Sequence, residues 1–343
     1  MDLSFRIWGL GIINSSLMQT PEKHSLITKK RNSGNTEFNF LLRFIIRTFA
    51  HMFRTIFTIF ILLTALSLVS CQPKTIERKK IQLTVSIIPQ KFLATFIAGD
   101  KCDVQAMMPT GSNHETYEPT PRDMEKISTS RLYLALGALD FEITWLDRLK
   151  ASNTDMQVIN TSEGIQMLSG HQHEGGESDE HQNHGTDPHT WLSTSCMKIQ
   201  AANICNALSG IDTANSAYYK ENLDRFTQLA DSVDTKIREK LAGTAGKSIL
   251  IFHPALAYFC RDYNLTQISI EQDGKEPSPA FMAEIVKIAK EKGIKSIFIS
   301  KEFDTRNAEA IAKEINGKVI VFDPMSENWD ENMVLLADLI ATN

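Results

Sequence analysis

One pattern occurs twice in this chain, before and after a long charged segment. In each occurrence, short apolar runs bounded by turn residues alternate with amphipathic stretches. This alternation is typical of βα units, whose strands form a parallel sheet covered by helices. The segment between them, YYKENLDRFTQLADSVDTKIREKL, has apolar residues at helical spacing and ends before Gly243, so it predicts one long helix. The predicted fold class is therefore α/β, with two α/β lobes of mostly parallel sheets joined by one long rigid linker helix.

The apolar runs predict eight strands, at residues 83–88, 104–108, 132–136, 156–159, 248–252, 266–270, 296–300 and 319–322. The amphipathic stretches predict helices at residues 91–98, 121–128, 141–149, 218–241, 256–263, 280–292, 305–315 and 328–340. These elements divide the chain into an N-terminal α/β lobe at 81–212, the linker helix at 213–243 and a C-terminal α/β lobe at 244–343.

The N-terminal region, residues 1–71, has the features of an export signal. An apolar run at 55–70 follows a basic residue and ends in Leu-Val-Ser before Cys71. The pattern resembles a bacterial lipoprotein signal, in which Cys71 is lipidated and everything before it is removed. A plain transmembrane anchor is the alternative, but the run is short for a membrane span.

Residues 1–51 lack this pattern, and Met52 stands where a signal peptide begins. We therefore interpret the start codon as overextended, with residues 1–51 lying upstream of the true start at Met52. The polar segment at 72–80 is expected to be a tether between the lipid and the folded domain.

Charge and cysteine content exclude several classes of protein. Residues 1–71 hold eight basic and three acidic side chains of the 36 and 41 in the whole chain, so the remainder carries an acidic excess of ten. An acidic domain repels phosphate backbones, so we expect no nucleic acid partner. No two cysteines form a CxxC pair, which argues against a cysteine-based zinc site. Export makes a disulfide conceivable among Cys102, Cys196, Cys205 and Cys260, without indicating a pairing.

Three histidines and one aspartate point to a metal site. His114 and His253 follow predicted strands, in GSNHETYEPTPRD and IFHPALAYF, and Asp323 follows the last strand in VIVFDPM. His189 lies in DPHTWLS, after a long loop. Ligands of open α/β sheets bind beyond the carboxyl ends of strands. Three imidazoles and one carboxylate are a tetrahedral set suited to zinc and tolerable to manganese. Any one of these residues could alternatively be a satisfied histidine or a helix-capping aspartate.

The motifs around the three histidines, the central helix, the lipobox and the histidine-rich stretch before DPH together resemble a known family. They are similar to the TroA-like (cluster A-I) metal-binding lipoproteins and periplasmic proteins of ABC importers for zinc and manganese. The ZnuA-like zinc-uptake branch fits best. The resemblance covers residues 81–343 and implies two lobes with metal buried at their interface. It further implies His114, His189, His253 and Asp323 as ligands, and a monomer that delivers Zn²⁺ to an ABC permease driven by its ATPase.

Two positions bear on the metal within this family. The manganese branch typically has Glu where His253 stands, so the imidazole favours zinc, with a manganese-binding member as the alternative. Some zinc-specific members have a carboxylate before the first histidine, where this chain has Asn113. Water is therefore an alternative to Asp323 as the fourth ligand.

A histidine-rich loop at 170–185 precedes His189. It holds His171, His173, His181 and His184 among acidic residues and glycines, with no apolar residue between 171 and 184. Such a tract cannot form a core, and we expect it to be disordered. Histidine-rich tracts often bind metal, so the four histidines are expected to be accessory metal ligands. An inert solvated insertion is the alternative.

A function of a different class is an envelope-anchored zinc hydrolase. A catalytic zinc needs an open coordination position and a general base, whereas the chain has no HExxH motif and four protein ligands would close the site. We therefore predict no enzymatic activity. The lipoprotein signal that ends at Cys71 separately predicts a cell-envelope location facing the periplasm or exterior.

Overall fold

The computed structural model describes residues 33–69, 80–170, 185–271 and 275–343, and its two compact units are Met1–Glu77 and Arg78–Asn343. The first unit contains helix α1 (Ser33–Val69). Its segment Asn39–Thr64 is long and apolar enough to cross a membrane by length and composition, a test that a signal sequence also passes. Residues 33–51 were expected to have no pattern of their own, but they form part of this helix. The sequence FNFLLRFIIRTFAHMF at 38–53 is largely apolar and extends the helix toward the N-terminus. Cys71 and tether residues 72–79 lie outside the described residues.

A parallel sheet in the order β2-β1-β3-β4 forms the first lobe. Leu83 on the central strand β1 is fully buried and lies in register with Val104 and Leu132 on the two flanking strands. The elements of this lobe are β1 (Ile81–Val85), α2 (Ile88–Ala98), β2 (Cys102–Ala106), α3 (Pro121–Ile127), β3 (Leu132–Ala135), α4 (Asp140–Ser152) and β4 (Gln157–Asn160).

Two long helices follow the first sheet. Helix α5 (Thr194–Ile211) begins after Ser193, whose hydroxyl accepts a hydrogen bond from the backbone N–H of Cys196, and the sequence patterns did not predict it. Helix α6 (Ser216–Lys240) is the expected linker helix. Phe226, Ala230, Val233 and Ile237 recur along one face of α6 and are buried.

The second lobe repeats the topology of the first, with a parallel sheet in the order β6-β5-β7-β8. In such an order, the first connection runs to one side of the central strand and the next crosses back to its other side. The reversal opens a crevice at the carboxyl ends of the central strands. The elements are β5 (Ser248–Ile251), α7 (Ala257–Tyr263), β6 (Thr266–Ser269), α8 (Pro279–Glu291), β7 (Ser296–Ile299), α9 (Arg306–Glu314), β8 (Lys318–Val321) and α10 (Trp329–Thr342).

The main core crosses between the two lobes because α10 packs on the first lobe and on α6. The ring of Trp329 lies 6.1 Å from that of Phe92 in α2 and 5.8 Å from that of Phe226 in α6. Lys240 in α6 forms a 2.6 Å ion pair with Asp338 in α10. The predicted lobe boundaries at 212 and 244 separate the two sheets, but the hydrophobic core and the packing of α10 extend across them. The boundaries remain a proposal. Cys102, Cys196, Cys205 and Cys260 are buried free thiols.

Candidate metal centre

His114, His189 and His253 converge on one buried point, although 139 positions separate the first from the last in the sequence. His114 lies in the loop after β2, His189 lies just before α5, and His253 follows β5 by two residues. Each is at most 4% exposed. Their ring centroids are 4.9 to 5.5 Å apart, and one nitrogen from each ring lies within 4.8 Å of the others.

The rings of His189 and His253 approach each other from opposite lobes. Their Nε2 atoms are 3.2 Å apart. On the other side of each ring, Nδ1 faces a carboxylate. Asp187 Oδ1 lies 2.8 Å from Nδ1 of His189, and Glu271 Oε2 lies 2.6 Å from Nδ1 of His253.

His114 has a different environment from the other two rings. Among the described residues, neither of its ring nitrogens has a hydrogen-bond partner. Burial, together with the nearby His189 and His253, holds the pKa of His114 well below its ordinary value. The ring is therefore neutral at pH 7, which is the form that binds metal.

Two acidic residues that the sequence analysis did not single out lie beside His253. Glu115 Oε1 is 3.7 Å from its Nδ1, and Glu271 is closer. Burial raises the pKa of Glu271 to about 7, and the charge of Glu276 adds to the shift. Burial also raises the pKa of Glu115. Glu271 comes directly after the strand β6 and Ile270, so the rule that identified His253 by its place after β5 could have identified Glu271 as well.

Asp323 lies after β8 as predicted, but the structure gives its carboxylate other partners. Its Oδ2 lies 2.5 Å from Nζ of Lys301, and its Oδ1 accepts a hydrogen bond from the backbone N–H of Met325. Within the described part of the chain, Asp323 belongs to neither group of three ligand atoms that approach within 4.8 Å. Lys301 follows β7, the neighbour of β8, and was not among the residues predicted for the site. The role of Asp323 as a metal ligand stays a prediction.

Aromatic residues close the space around the histidines. Trp191 is 1% exposed, and its ring lies 5.0 Å from His189 and 5.9 Å from His114. Tyr258 is fully buried, and its hydroxyl donates a hydrogen bond to the backbone carbonyl of Asp187. Such packing excludes water, which strengthens electrostatic interactions in the site.

The four accessory histidines, His171, His173, His181 and His184, lie outside the described residues. The two residues that flank them are held together, because the backbone N–H of Gly170 donates a 2.5 Å hydrogen bond to the carbonyl of Gly185. Ser169 and Thr186 form an antiparallel bridge beside this contact. A side chain on Gly170 would collide with the carbonyl of Gly185, so glycine is required there.

Two parallel α/β lobes around a buried histidine cluster define a two-lobed metal-binding protein. Residues 83–342 match the family described as ZnuA, zinc-uptake complex component A, periplasmic. The match covers well over half of the chain, and the chain belongs to this family. The predicted family and fold class are thereby confirmed.

Individual relatives agree with the family assignment. The chain is 28% identical over 289 residues to a putative metal-binding protein of Chlamydia trachomatis, covering 82% of this chain and 98% of the relative. It is 27% identical over 259 residues to the high-affinity zinc uptake system protein ZnuA of Bacillus subtilis, covering 72% and 79%.

Solved structures show the same likeness. A crystal structure of ZnuA superposes with a TM-score of 0.71 at 34% identity, covering 77% of this chain and 99% of that one. A zinc-bound ZnuA with residues 138–173 of its own chain deleted superposes at 0.70 with 34% identity, covering 77% and 97%.

Proposed function

We propose that this chain is the extracytoplasmic zinc-binding component of an ABC metal importer, which captures Zn²⁺ and delivers it to a membrane permease driven by an ATPase. Membership of the zinc-uptake family supports this function. So does the similarity to the Bacillus subtilis zinc uptake protein and to a zinc-bound ZnuA. The family is a solute-binding component of a transporter, so binding and release are the proposed activity rather than catalysis.

The observation that carries the proposal is the distance between two nitrogens. Zinc binds imidazole nitrogen at about 2.0–2.1 Å in tetrahedral geometry, which places two such ligands about 3.3 Å apart. Nε2 of His189 and Nε2 of His253 are 3.2 Å apart. A neutral ring that donates through Nδ1 has its lone pair at Nε2. When both rings are in this tautomer, the two Nε2 lone pairs point into one space, which a cation between them would fill; without a cation, one ring can instead donate an N–H···N hydrogen bond across the same 3.2 Å.

The third proposed ligand is His114. Its nitrogens have no other partner among the described side chains, and a buried polar atom without a partner costs about 1–3 kcal/mol. Coordination of a metal would satisfy one of these nitrogens. A set of three neutral imidazoles suits zinc better than manganese, which prefers oxygen ligands. We therefore retain manganese only as a competitor for this site.

The fourth ligand is proposed to be an oxygen. Asp323 remains the candidate from the sequence, although its ion pair with Lys301 would have to open or adjust for it to bind. Water is the alternative. Glu115 is a new candidate because it directly follows the proposed ligand His114 in the sequence, although its carboxylate lies on the Nδ1 side of His253, 3.7 Å from that atom, and would have to turn toward the Nε2 atoms to bind.

The remaining parts of the proposal concern location and assembly. We propose that the protein acts as a monomer at the cell envelope, attached through a lipid on Cys71 after removal of residues 1–70. The apolar helix α1 fits either a signal sequence or an anchor. The histidine-rich loop at 170–185 is proposed to hold accessory, weaker metal sites through its four histidines.

A competition titration tests the function. The soluble domain, residues 80–343, is purified without added metal, its metal content is measured, and Zn²⁺ and Mn²⁺ are titrated against a chromogenic chelator. We expect one tight zinc equivalent that is lost in His114→Ala, His189→Ala and His253→Ala. Retention of the tight zinc equivalent in all three variants would refute the proposed site, and preference for Mn²⁺ would assign the chain to manganese uptake.

A further inference from the structure

Two of the three histidines are each paired with a buried carboxylate, one from each lobe. Asp187 is 6% exposed and Glu271 is 7% exposed. Their oxygens lie 2.8 and 2.6 Å from Nδ1 of His189 and His253. Nδ1 and Nε2 are on different sides of an imidazole ring, so each carboxylate lies on the side away from the short contact between the two Nε2 atoms.

We infer that Asp187 and Glu271 are positioning residues for zinc, an inference that rests on the function proposed above. When Nε2 of a neutral imidazole binds a metal, Nδ1 must carry the proton and can only donate a hydrogen bond. Each carboxylate accepts this hydrogen bond, which fixes the tautomer and the rotation of the ring. Such partners of metal-binding histidines also raise the basicity of the nitrogen that faces the metal.

The local structure holds each carboxylate independently of the metal. Asp187 accepts a second hydrogen bond from the backbone N–H of His189, and its own carbonyl accepts one from Tyr258. This pair is therefore a local turn, in which the residues are separated by a single proline.

Glu271 is held instead by the sheet of the second lobe. Strands β5 and β6 are paired in register, with Ile251 opposite Ser269. Beyond the strands, the backbone N–H of Glu271 donates a 2.9 Å hydrogen bond to the carbonyl of Phe252, the residue before His253. The strand pairing and this backbone hydrogen bond thus fix the position of the Glu271 carboxylate relative to the imidazole of His253.

The three imidazole rings have different roles in this arrangement. His189 and His253 are oriented before a metal arrives, each by its own lobe, and their Nε2 atoms converge across the interface. His114 has no such carboxylate among the described residues. No carboxylate therefore sets the orientation of its ring, and coordination to the ion held by the other two nitrogens would fix it.

Substitutions at Glu271 test the inference, since Glu271→Ala removes the acceptor and Glu271→Gln removes the charge but keeps an acceptor oxygen. Zinc affinity is measured by chelator competition, and the Nδ1–H of His253 is followed by NMR of the zinc-loaded protein. We expect Glu271→Ala to weaken zinc binding about 10- to 100-fold and to shift or broaden the Nδ1–H signal. Glu271→Gln is expected to recover most of both.

Glu284→Gln is the control, because Glu284 is an exposed glutamate of α8 in the same lobe, and we expect both its zinc affinity and the Nδ1–H signal of His253 to match those of the unsubstituted protein. Asp187→Ala and Asp187→Asn repeat the comparison for His189. Circular dichroism and melting curves confirm that each variant is folded.

Equal loss of affinity in Glu271→Ala and Glu271→Gln, with an unchanged Nδ1–H signal, would overturn the inference in favour of a purely electrostatic role. Unchanged affinity in Glu271→Ala would also overturn it. Failure of the proposed function is a separate result, namely that the unsubstituted protein binds no zinc or that His253→Ala binds zinc as well as it does.

Discussion

The indole N–H of Trp329 donates a 2.7 Å hydrogen bond to the backbone carbonyl of Trp191. The indole N–H of Trp191 in turn donates a 2.9 Å hydrogen bond to the carbonyl of Pro324. Trp191 comes two residues after His189, and Trp329 begins α10. Two buried hydrogen bonds therefore tie the backbone that carries one proposed ligand to the segment between β8 and α10 of the other lobe.

The first prediction concerns this tie. Trp329→Phe keeps most of the buried ring but removes the donor, leaving the carbonyl of Trp191 without its partner. We expect the free energy of unfolding to fall by about 1–3 kcal/mol and zinc to dissociate faster, as measured by urea denaturation and stopped-flow chelation. Trp145→Phe, at a half-buried tryptophan of α4, is the control. Identical zinc dissociation in Trp329→Phe and the unsubstituted protein would show that the tie does not position the site.

The second prediction separates the buried site from the histidine-rich loop. Residues 171–184 are replaced by the dipeptide Asn-Gly, which favours a tight hairpin turn closed by the paired Gly170 and Gly185. We expect this variant to keep the tight zinc equivalent and to lose weaker ones, whereas His253→Ala loses the tight one. Calorimetric titration of both variants measures the two classes of site. Loss of the tight equivalent in the loop replacement would place the principal site in the loop.

The third prediction decides the role of Asp323. If its carboxylate is the fourth ligand, Asp323→Asn weakens zinc binding about tenfold or more, while Lys301→Met releases the carboxylate from its ion pair and strengthens binding. Both changes are measured by chelator competition. Unaltered affinity in Asp323→Asn would leave water or Glu115 as the fourth ligand, and Glu115→Gln then distinguishes between them.

The fourth prediction concerns acid stability and a residue outside the metal centre. Burial alone would raise the pKa of Asp123, but hydrogen bonds from Lys126, Thr120 and Tyr117 outweigh it and lower the pKa to about 2. The unfolded value is about 3.9. Ionised Asp123 therefore stabilises the fold above about pH 4, and this stabilisation is lost as the pH falls through about 2.

We expect Asp123→Asn to lower the free energy of unfolding at pH 7 by up to about 2 kcal/mol and to flatten its decline between about pH 4 and pH 2. Urea denaturation across this range measures both effects. Asp304→Asn serves as the control, because Asp304 pairs with Arg306 at the surface, where water screens the charges. A pH profile identical to that of the unsubstituted protein would contradict the stabilisation of the fold by ionised Asp123.

Each of the eight described strands overlaps a predicted apolar run, so the hydrophobic pattern was sufficient to locate both sheets, although β2 (CDVQA) and β6 (TQIS) are partly polar. The sequence prediction missed α5 although its buried residues Met197, Ala201, Ile204 and Leu208 recur at helical spacing, and the polar residues Thr194 and Gln200 interrupt that buried face. Gln200 is buried because its amide donates a hydrogen bond to Thr190. This partner is defined only by the tertiary structure.

The same limit applies to the metal centre. The convergence of His114, His189 and His253 could be predicted because two of them follow predicted strands and the third lies in the DPH motif, and their joint placement indicates a site that no single histidine would. Glu271 and Lys301 also follow strands, so the same rule could have selected them, but the partner of each is set by the order of the strands in the sheet, which the sequence patterns do not specify. The Glu271 carboxylate meets His253 because β6 lies beside β5, and Lys301 meets Asp323 because β7 lies beside β8.

The packing of α10 on the first lobe affects the order in which the protein can be made. The pocket between Phe92 and Phe226 is filled by Trp329, which leaves the ribosome more than a hundred residues after the first sheet is complete. During synthesis, the first lobe therefore exposes this apolar surface until nearly all of residues 80–343 have emerged. The candidate metal centre is then completed late, because the hydrogen bond from Trp329 to the carbonyl of Trp191, two residues after His189, forms only once α10 has docked.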